Sequence, residues 1–399
     1  MPTNQGIVGL PQSAPEDSQR LFLEQLPAVA RSLPHYTRHL APSVIEISWS
    51  ELADIVDISQ QLSESTCRLV TSYTTQQSLQ RLIPLRHTTM MELERLSSVP
   101  YCAGILRPDF IYTNEGKPQA CEINARFPFN ASLLSCYVQD ALGHFTSAPL
   151  PLRVDAFRSY VKTQLQDPLL VIKDRERGYD VHFAMHNHRV EVIAPTQVTA
   201  THIRNAATIV LELHHDELEL ILPLIVDAML DGKVVLNDPR STLIAHDKRV
   251  LAYLTQGAPF ADVNSSARHI AGSIVPSFVR DRSPEIFGEA LEFPDGWVAK
   301  RAVSGKSQGV YFGSVVSRRD WEMLLLEFDI VLQPYVPQPV YQSYDMREKI
   351  WIASNLVATS VIADGECYGL GFFRLFSLPP LKHCAMVPGV ISATEEHDA

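Results

Sequence analysis

The sequence predicts an α/β protein made of two or three α+β lobes, one of them built on a mostly parallel sheet. Three observations carry that expectation. Between residues 168 and 256 the short β-branched runs "LLVIK", "RVEVIAP", "ATIVLEL" and "KVVLN" alternate with helical stretches, the signature of βαβ units. Around residues 109–124 an alternating strand "DFIYT", a turn "NEG" and a returning strand "PQACEIN" read as a β-hairpin. Near residue 300, "GWVAKRA" and "GVYFGSVV" flank a loop containing glycines and serines, so the local order is strand–loop–strand.

The elements follow in chain order. Residues 1–20 read as a disordered leader without the basic start and apolar core of a secretory signal. Residues 20–100 are mostly helical, because "PEDSQRLFLEQLPAVARSLP" and "SWSELADIVDISQQLSESTCRLVTSY" place apolar residues every three or four positions. After the hairpin, "NASLLSCYVQDALG" suits a short helix with Asn130 as N-cap and Gly143 as its stop. "TSAPLPLRVDAF" reads as a linker. "DELELILPLIVDAMLD" is a helix, with Asp216 and Glu219 spaced for capping and Pro223 as a kink. "RRDWEMLLLEF" is a second helix, beyond the glycine loop. Past Ser377, "LPPLKHCAMVPGV" reads as irregular and "SATEEHDA" as a solvated tail.

Composition bounds the function classes. At 399 residues the chain can fill two or three lobes of roughly 100–150 residues each. A net charge of −11 argues against a nucleic-acid surface or a polybasic membrane patch. The chain has no run of eighteen apolar residues. Six cysteines without CxxC or zinc spacing suggest reduced thiols and a cytoplasmic location. Gly-x-Gly-x-x-Gly, a Walker loop and a G-x-S-x-G elbow are all missing from the sequence.

The chemistry-bearing residues fall in two distant places. In the hairpin, Asp109 lies thirteen residues before Glu122, and Asn124 shares a strand face with Glu122 because side chains alternate with period two. Three hard oxygen donors there suit Mg²⁺ shared with substrate phosphates, although an ordinary hairpin with exposed acids reads the same. Cys121 should point the other way, into packing. Far downstream, Lys300 ends a strand before a loop whose backbone N–H groups could cradle phosphate, Gly305 and Gly309 permitting close approach. A plain hairpin turn is the simpler reading of that loop alone.

Together these residues resemble the ATP-grasp carboxylate–amine ligases. Asp109, Glu122 and Asn124 resemble that family's metal set, with Arg107 two residues before the Asp. Lys300, Gly305, Ser307 and Gly309 resemble its phosphate lid. "IVLQPYV" is similar to the hinge strand that contacts adenine, here Gln333, Tyr335 and Val336, and "AHDKRVLAYL" to the helix carrying the first ATP lysine, here Lys248. "DMREKIWIASNLVATSVIADGECYGLGFFRL" resembles the strands bearing phosphate- or substrate-facing arginines, here Arg347 and Arg374. The hairpin precedes the lysines and the loop, the reverse of the usual order. That resembles the circularly permuted glutathione synthetase and glutathionylspermidine synthetase type. Arg126-Phe127-Pro128-Phe129-Asn130 stands where many relatives have a glycine turn, and Arg126 either clamps phosphate or pairs with a nearby carboxylate.

The resemblance implies an ATP-grasp fold in permuted order, with ATP held between two α+β lobes and a Rossmann-like lobe for substrate. The implied divisions are 21–150 (metal-binding core), 151–260 (substrate lobe), 261–340 (lid and hinge) and 341–399 (rest of the core and tail). It implies ATP, one or two Mg²⁺ ions (Mn²⁺ as a substitute), a small carboxylic acid and an amine as partners, with a homodimer allowed and neither nucleic acid nor membrane engaged. The expected reaction joins acid to amine through an acyl phosphate, releasing ADP and phosphate. A small-molecule kinase of the same fold and an ATP sensor without turnover are the alternatives. "HNH" at 186–188 reads as a polar turn. His214-His215-Asp216, at a strand end before a helix, reads either as local capping or as facing substrate.

Overall fold

In this computed structural model the described residues are 2–6, 15–33, 39–41, 43–176, 180–255, 266–305, 308–345, 348–377 and 384–392. Strands numbered in chain order make three sheets. The largest has β1 (Thr3–Gly6), β2 (Ser43–Ile47), β3 (Ile105–Tyr112), β4 (Pro118–Asn124), β12 (Tyr341–Asp345), β13 (Ile350–Ala363), β14 (Glu366–Ser377) and β15 (Cys384–Ile391). Its order is β1-β2-β15-β14-β13-β3-β4, with β12 paired to the first half of β13. Strands from both ends of the chain therefore lie side by side.

The helix Trp49–Ser72 covers one face of this sheet. Ser48 caps it, accepting from Glu51 N while Glu51 accepts from Ser48 N, an arrangement worth about 1 kcal/mol. Ile55, Leu62 and Leu69 recur at helical spacing and pack in one core with Phe110, Ala358 and Leu370. Each such side chain contributes about 1.5–3 kcal/mol by leaving water. The helix Ser132–Leu142 covers the opposite face, sharing a second core with Val361 and Phe372.

The second sheet is fully parallel: β5 (Leu169–Lys173), β6 (Val190–Ile193), β7 (Thr208–Glu212) and β8 (Val234–Leu236), in the order β6-β5-β7-β8. The central strands are buried on both faces. Leu170, Ile172, Ile209 and Leu211 join one core and Leu169, Val171 and Val210 the other. That two-sided burial is why these strands read as continuous apolar runs. Asn237, just after β8, ties this lobe to the hairpin: its side chain accepts from Ile105 N and donates to the carbonyls of Ile105 and Ala125.

The third sheet is small and antiparallel: β9 (Trp297–Arg301) between β10 (Val310–Phe312) and β11 (Ile330–Pro334). The helices Pro284–Glu292 and Arg318–Leu325 back it. Trp321 is fully buried at their junction and donates Nε1–H to Ala290 O at 2.9 Å.

Several sequence expectations need correction. Part of the supposed leader is ordered: Thr3–Gly6 is a sheet-edge strand and Pro15–Glu24 a helix. An edge strand needs no alternating apolar face, so its polar residues gave no signal. The segment expected to be irregular contains β15, which pairs with β14 and, in parallel, with β2; Pro388 and Gly389 disguised it. The expected linker ends in the helix Val154–Gln164. Asn130 is not the N-cap, because Ala131 takes that position with φ 65°. The helix His215–Leu230 runs on through Pro223. Its N-cap is His214, whose N–H donates to the Glu217 side chain at 2.8 Å, whereas Glu219 bonds Thr89.

Candidate active site

The register of the hairpin brings the acids together. Asp109 lies directly opposite Glu122 and Arg107 opposite Asn124, with a bulge immediately after Asp109. Asn124 Nδ2 donates to Asp109 Oδ2 at 3.0 Å. Thr359, on the next strand, donates to Asp109 Oδ1 at 2.7 Å, and Arg374 from β14 pairs with Asp109 Oδ2.

Lys248 follows a short π-turn (Ser241–Ala245) that is buried throughout. Its ammonium bonds Ser304 O and lies 3.4 Å from Glu122 Oε1. Lys300 comes from β9 of the small sheet, and its Nζ donates to Cys121 O at 3.3 Å. The early hairpin and the late lysine–glycine segment thus meet. Burial pushes the Glu122 carboxyl up, but the neighbouring cations Lys248, Lys300 and Arg374 outweigh it and hold the group below its usual range.

These residues line a cleft of about 990 Å³ between the large and small sheets. Lys248, Lys300, Asp109, Glu122, Asn124 and Arg374 supply its polar part, while Val298, Phe312, Val357 and Phe376 are among its apolar walls. Gly305 lies on the loop side. Of the expected hinge, Gln333, Tyr335 and Val336 all line the cleft. Gln333 Nε2 is engaged with Cys121 O and Ser277 Oγ, and Tyr335 N–H with Gly296 O at 2.7 Å. The Tyr335 amide is therefore already committed.

A second cavity of about 1020 Å³ adjoins the first, sharing Asp109, Asn124, Ser304, Gly305, Gln308 and Arg374. Arg126, Phe127, Glu176 and His214 close its far side. Arg126 Nη1 donates to Val303 O at 3.2 Å, and its guanidinium packs over the Phe127 ring. Burial lowers its pKa to about 10. Phe127 holds φ 53° in the left-handed region, which costs a non-glycine residue about 1–2 kcal/mol. Arg107 explains how that turn is held: its guanidinium donates to the carbonyls of Asn130, Arg126 and Phe127.

Not every expected site residue keeps its expected part. Arg107 does not line the first cleft; its guanidinium holds the turn and lines the second cavity beside Asp109 and Arg374. Gly309 is absent from the lining of both cavities and, with φ +70°, serves the loop turn; a Cβ there would stand 2.9 Å from Arg301. Ser307 and Arg347 lie outside the described residues. Cys121 is buried, with its thiol pushed up to about 11 by burial, yet it borders the cleft and its carbonyl binds both Lys300 and Gln333. The sequence reading missed Thr359, Asn355 and Glu176. Asn355 and Thr359 share a face of β13 with Val357 by period two, the one signal that could have found them.

In sequence, the family model of the AnkG N-terminal domain matches residues 58–244, a little under half of the chain. The match takes in the acid hairpin and the parallel sheet and stops short of Lys248 and the glycine loop. No curated protein is detectably similar. Among solved structures, the chain is similar to a glutathione synthetase like-effector (GSS30) from Globodera pallida in its apo form. The TM-score is 0.57 and the identity 11%, over 97% of this chain and 99% of that one. At such identity the likeness shows the fold alone: a glutathione synthetase-like mixed α/β architecture. No helix among the described residues is long and apolar enough to cross a membrane.

Proposed function

We propose that this chain is an ATP- and Mg²⁺-dependent ligase of the circularly permuted ATP-grasp type, joining a small carboxylic acid to an amine. The observation that carries this reading is the convergence of Lys248, Lys300, Gly305, Asp109, Glu122 and Asn124 on one cleft, from segments nearly 200 residues apart in sequence. The apolar walls of this cleft suit a base, and the two lysines suit a phosphate chain.

Among the described residues no group of three His, Cys, Asp or Glu side chains is arranged for a metal. The donor set here is instead two carboxylates and an amide, all hard oxygen ligands, and the rest of an octahedral shell would come from phosphate and water. Asp109, Glu122 and Asn124 fit that use. Mg²⁺, when bound there, would neutralise charge on the β- and γ-phosphates. The lysines would orient the phosphate chain, the Gly305 segment would exclude water from the acyl phosphate, and Arg374 would face the transferred phosphoryl group. The second cavity would bring the amine to the shared wall. A reducing cytoplasmic setting agrees with the free state of Cys67, Cys102, Cys121, Cys136 and Cys367.

One observation favours the sensor alternative. Both carboxylates are already neutralised by protein cations, Asp109 by Arg374 and Glu122 by Lys248. The deciding experiment incubates the protein with ATP, Mg²⁺ and pooled amino acids, then measures nucleotide products and amides by mass spectrometry. ADP, phosphate and a new amide support the ligase. AMP with pyrophosphate would eliminate the acyl-phosphate route. ATP binding without any turnover would favour the sensor.

A further inference from the structure

In the parallel sheet, β5 is flanked by β6 on one side and β7 on the other, so the strand order reverses direction between β5 and β7. Doubly wound sheets place ligands in the crevice beyond the carboxyl ends of the strands at that reversal. Here the residues just past those two ends are Glu176, three after β5, and His214, two after β7. Both line the second cavity, and their side chains approach to 3.9 Å, His214 Nε2 to Glu176 Oε2. Glu176 is only 3% exposed, and Asn130 Nδ2 lies 3.5 Å from its Oε1. Asp109 and Asn124 line the same cavity, together with the guanidiniums of Arg107, Arg126 and Arg374.

We infer that the second cavity is an amine-binding site in which Glu176 holds the substrate's ammonium group and His214 takes its proton. This rests on the ligase reading and assigns the end of the cleft from which the nucleophile approaches. The surroundings of His214 keep its ring uncharged at rest. Burial and the nearby Arg126 guanidinium lower its pKa, the Arg175 guanidinium adds to this, and Glu217 and Glu176 oppose it. The ring is therefore neutral near pH 7 and free to accept a proton. Phe127 packs edge-on against it, with ring centroids 5.1 Å apart. The N-terminus of the helix His215–Leu230 would ordinarily favour an anion, but Glu217 already occupies the His214 N–H.

The step balances as follows. The bound ammonium gives one proton to His214. Its nitrogen lone pair then adds to the acyl carbon of the acyl phosphate, the carbon–oxygen bond to phosphate breaks, and the second proton leaves with the departing phosphate.

The test is ligand-observed NMR on the full chain with glycinamide and with straight diamines of three to six carbons, each compared with its N-acetylated counterpart. The free amines should bind and compete with one another, and full acetylation should abolish binding. Glu176→Gln should weaken amine binding at least tenfold while ATP·Mg²⁺ binding, titrated in the same samples, stays unchanged. His214→Gln should leave amine binding within threefold. In a hydroxamate assay with the pooled acids, its use of hydroxylamine, largely uncharged at neutral pH, should survive better than its use of glycinamide. Equal binding of acetylated and free amines, no binding of any amine, or an unaffected Glu176→Gln would overturn the inference. Amine binding that persists where ATP·Mg²⁺ does not bind would sink the ligase reading while leaving the amine site standing.

Discussion

Replacing Lys300 by Met is the perturbation that bears most directly on the nucleotide reading. The side chain is nearly buried, its ammonium lies over the hairpin at Cys121 O, and it borders the cleft beside Glu122. Met keeps the apolar stem and removes only the charge. If a phosphate oxygen takes the place of the Cys121 carbonyl, the lost attraction per unit charge at about 4 Å and an effective dielectric of 20 is about 4 kcal/mol. Desolvation of the lysine offsets part of that, leaving about 2–4 kcal/mol, or roughly 30- to 700-fold in ATP affinity. The hydrogen bond from the Lys300 ammonium to Cys121 O, having a charged donor, is worth about 1.5–3 kcal/mol to the fold. Isothermal titration with ATP·Mg²⁺ and with adenosine separates the two effects, because adenosine should bind Lys300→Met as it binds the native chain. An unchanged ATP affinity, or an equal loss for adenosine, would show that no phosphate lies at Lys300.

Arg374→Gln releases Asp109 from its buried pair, so Mn²⁺ binding without nucleotide, read by electron paramagnetic resonance, should tighten. Turnover should meanwhile fall by about 10²–10³, the usual cost of removing one donor aimed at developing charge. Glu212 ends β7 fully enclosed, and burial pushes its carboxyl from 4.5 up to about 8. The folded chain keeps a proton that the unfolded chain releases, so stability is full below about pH 4.5 and is lost as pH rises to about 8. Denaturant titrations of Glu212→Gln should show that slope flattened, with the variant more stable than the native chain at pH 8 by about 2 kcal/mol or more. Gly369 has φ +109°, and a Cβ there would stand 2.0 Å from Pro151 O. Gly369→Ala should cost more than about 2 kcal/mol in denaturant unfolding. Gly365→Ala, at φ +89° with open space around it, should cost about 1 kcal/mol.

The parts of the fold that were legible are those whose burial leaves a periodic trace. β5 and β7 are covered on both faces and read as unbroken apolar runs. β3 and β4 alternate around a turn whose Gly116 has φ +81°, so the shared face of Glu122 and Asn124 followed from period two, whereas the pairing of Asp109 with Glu122 is set by the register. β1 and β15 left no trace because their places in the sheet are granted by neighbours remote in sequence. The limits at the site are of the same kind. Arg107 looks like any arginine beside an acid until the 126–130 turn folds back and presents three carbonyls to it. Glu176 is one acid in the charged stretch Lys173-Asp174-Arg175-Glu176, and only the reversal of strand order gives its position meaning.

The same geometry explains how so much charge is tolerated at the candidate site. Asp109, Lys248 and Lys300 are buried, and Arg374 and Glu122 only partly exposed. Isolated, each would carry a desolvation penalty of several kcal/mol. Each is instead bonded within the protein: Asp109 by Arg374, Thr359 and Asn124, Glu122 by Lys248, Lys300 by a carbonyl. A polyphosphate entering with its metal would exchange partners rather than create new burial. On the proposed reading the cations would turn from carboxylates and carbonyls to phosphate oxygens, and the carboxylates so released would be free to hold the metal. Exchange of that kind requires the cations and the acids to be neighbours before the ligand arrives. The hairpin register, the π-turn before Lys248 and the small sheet under Lys300 bring them together.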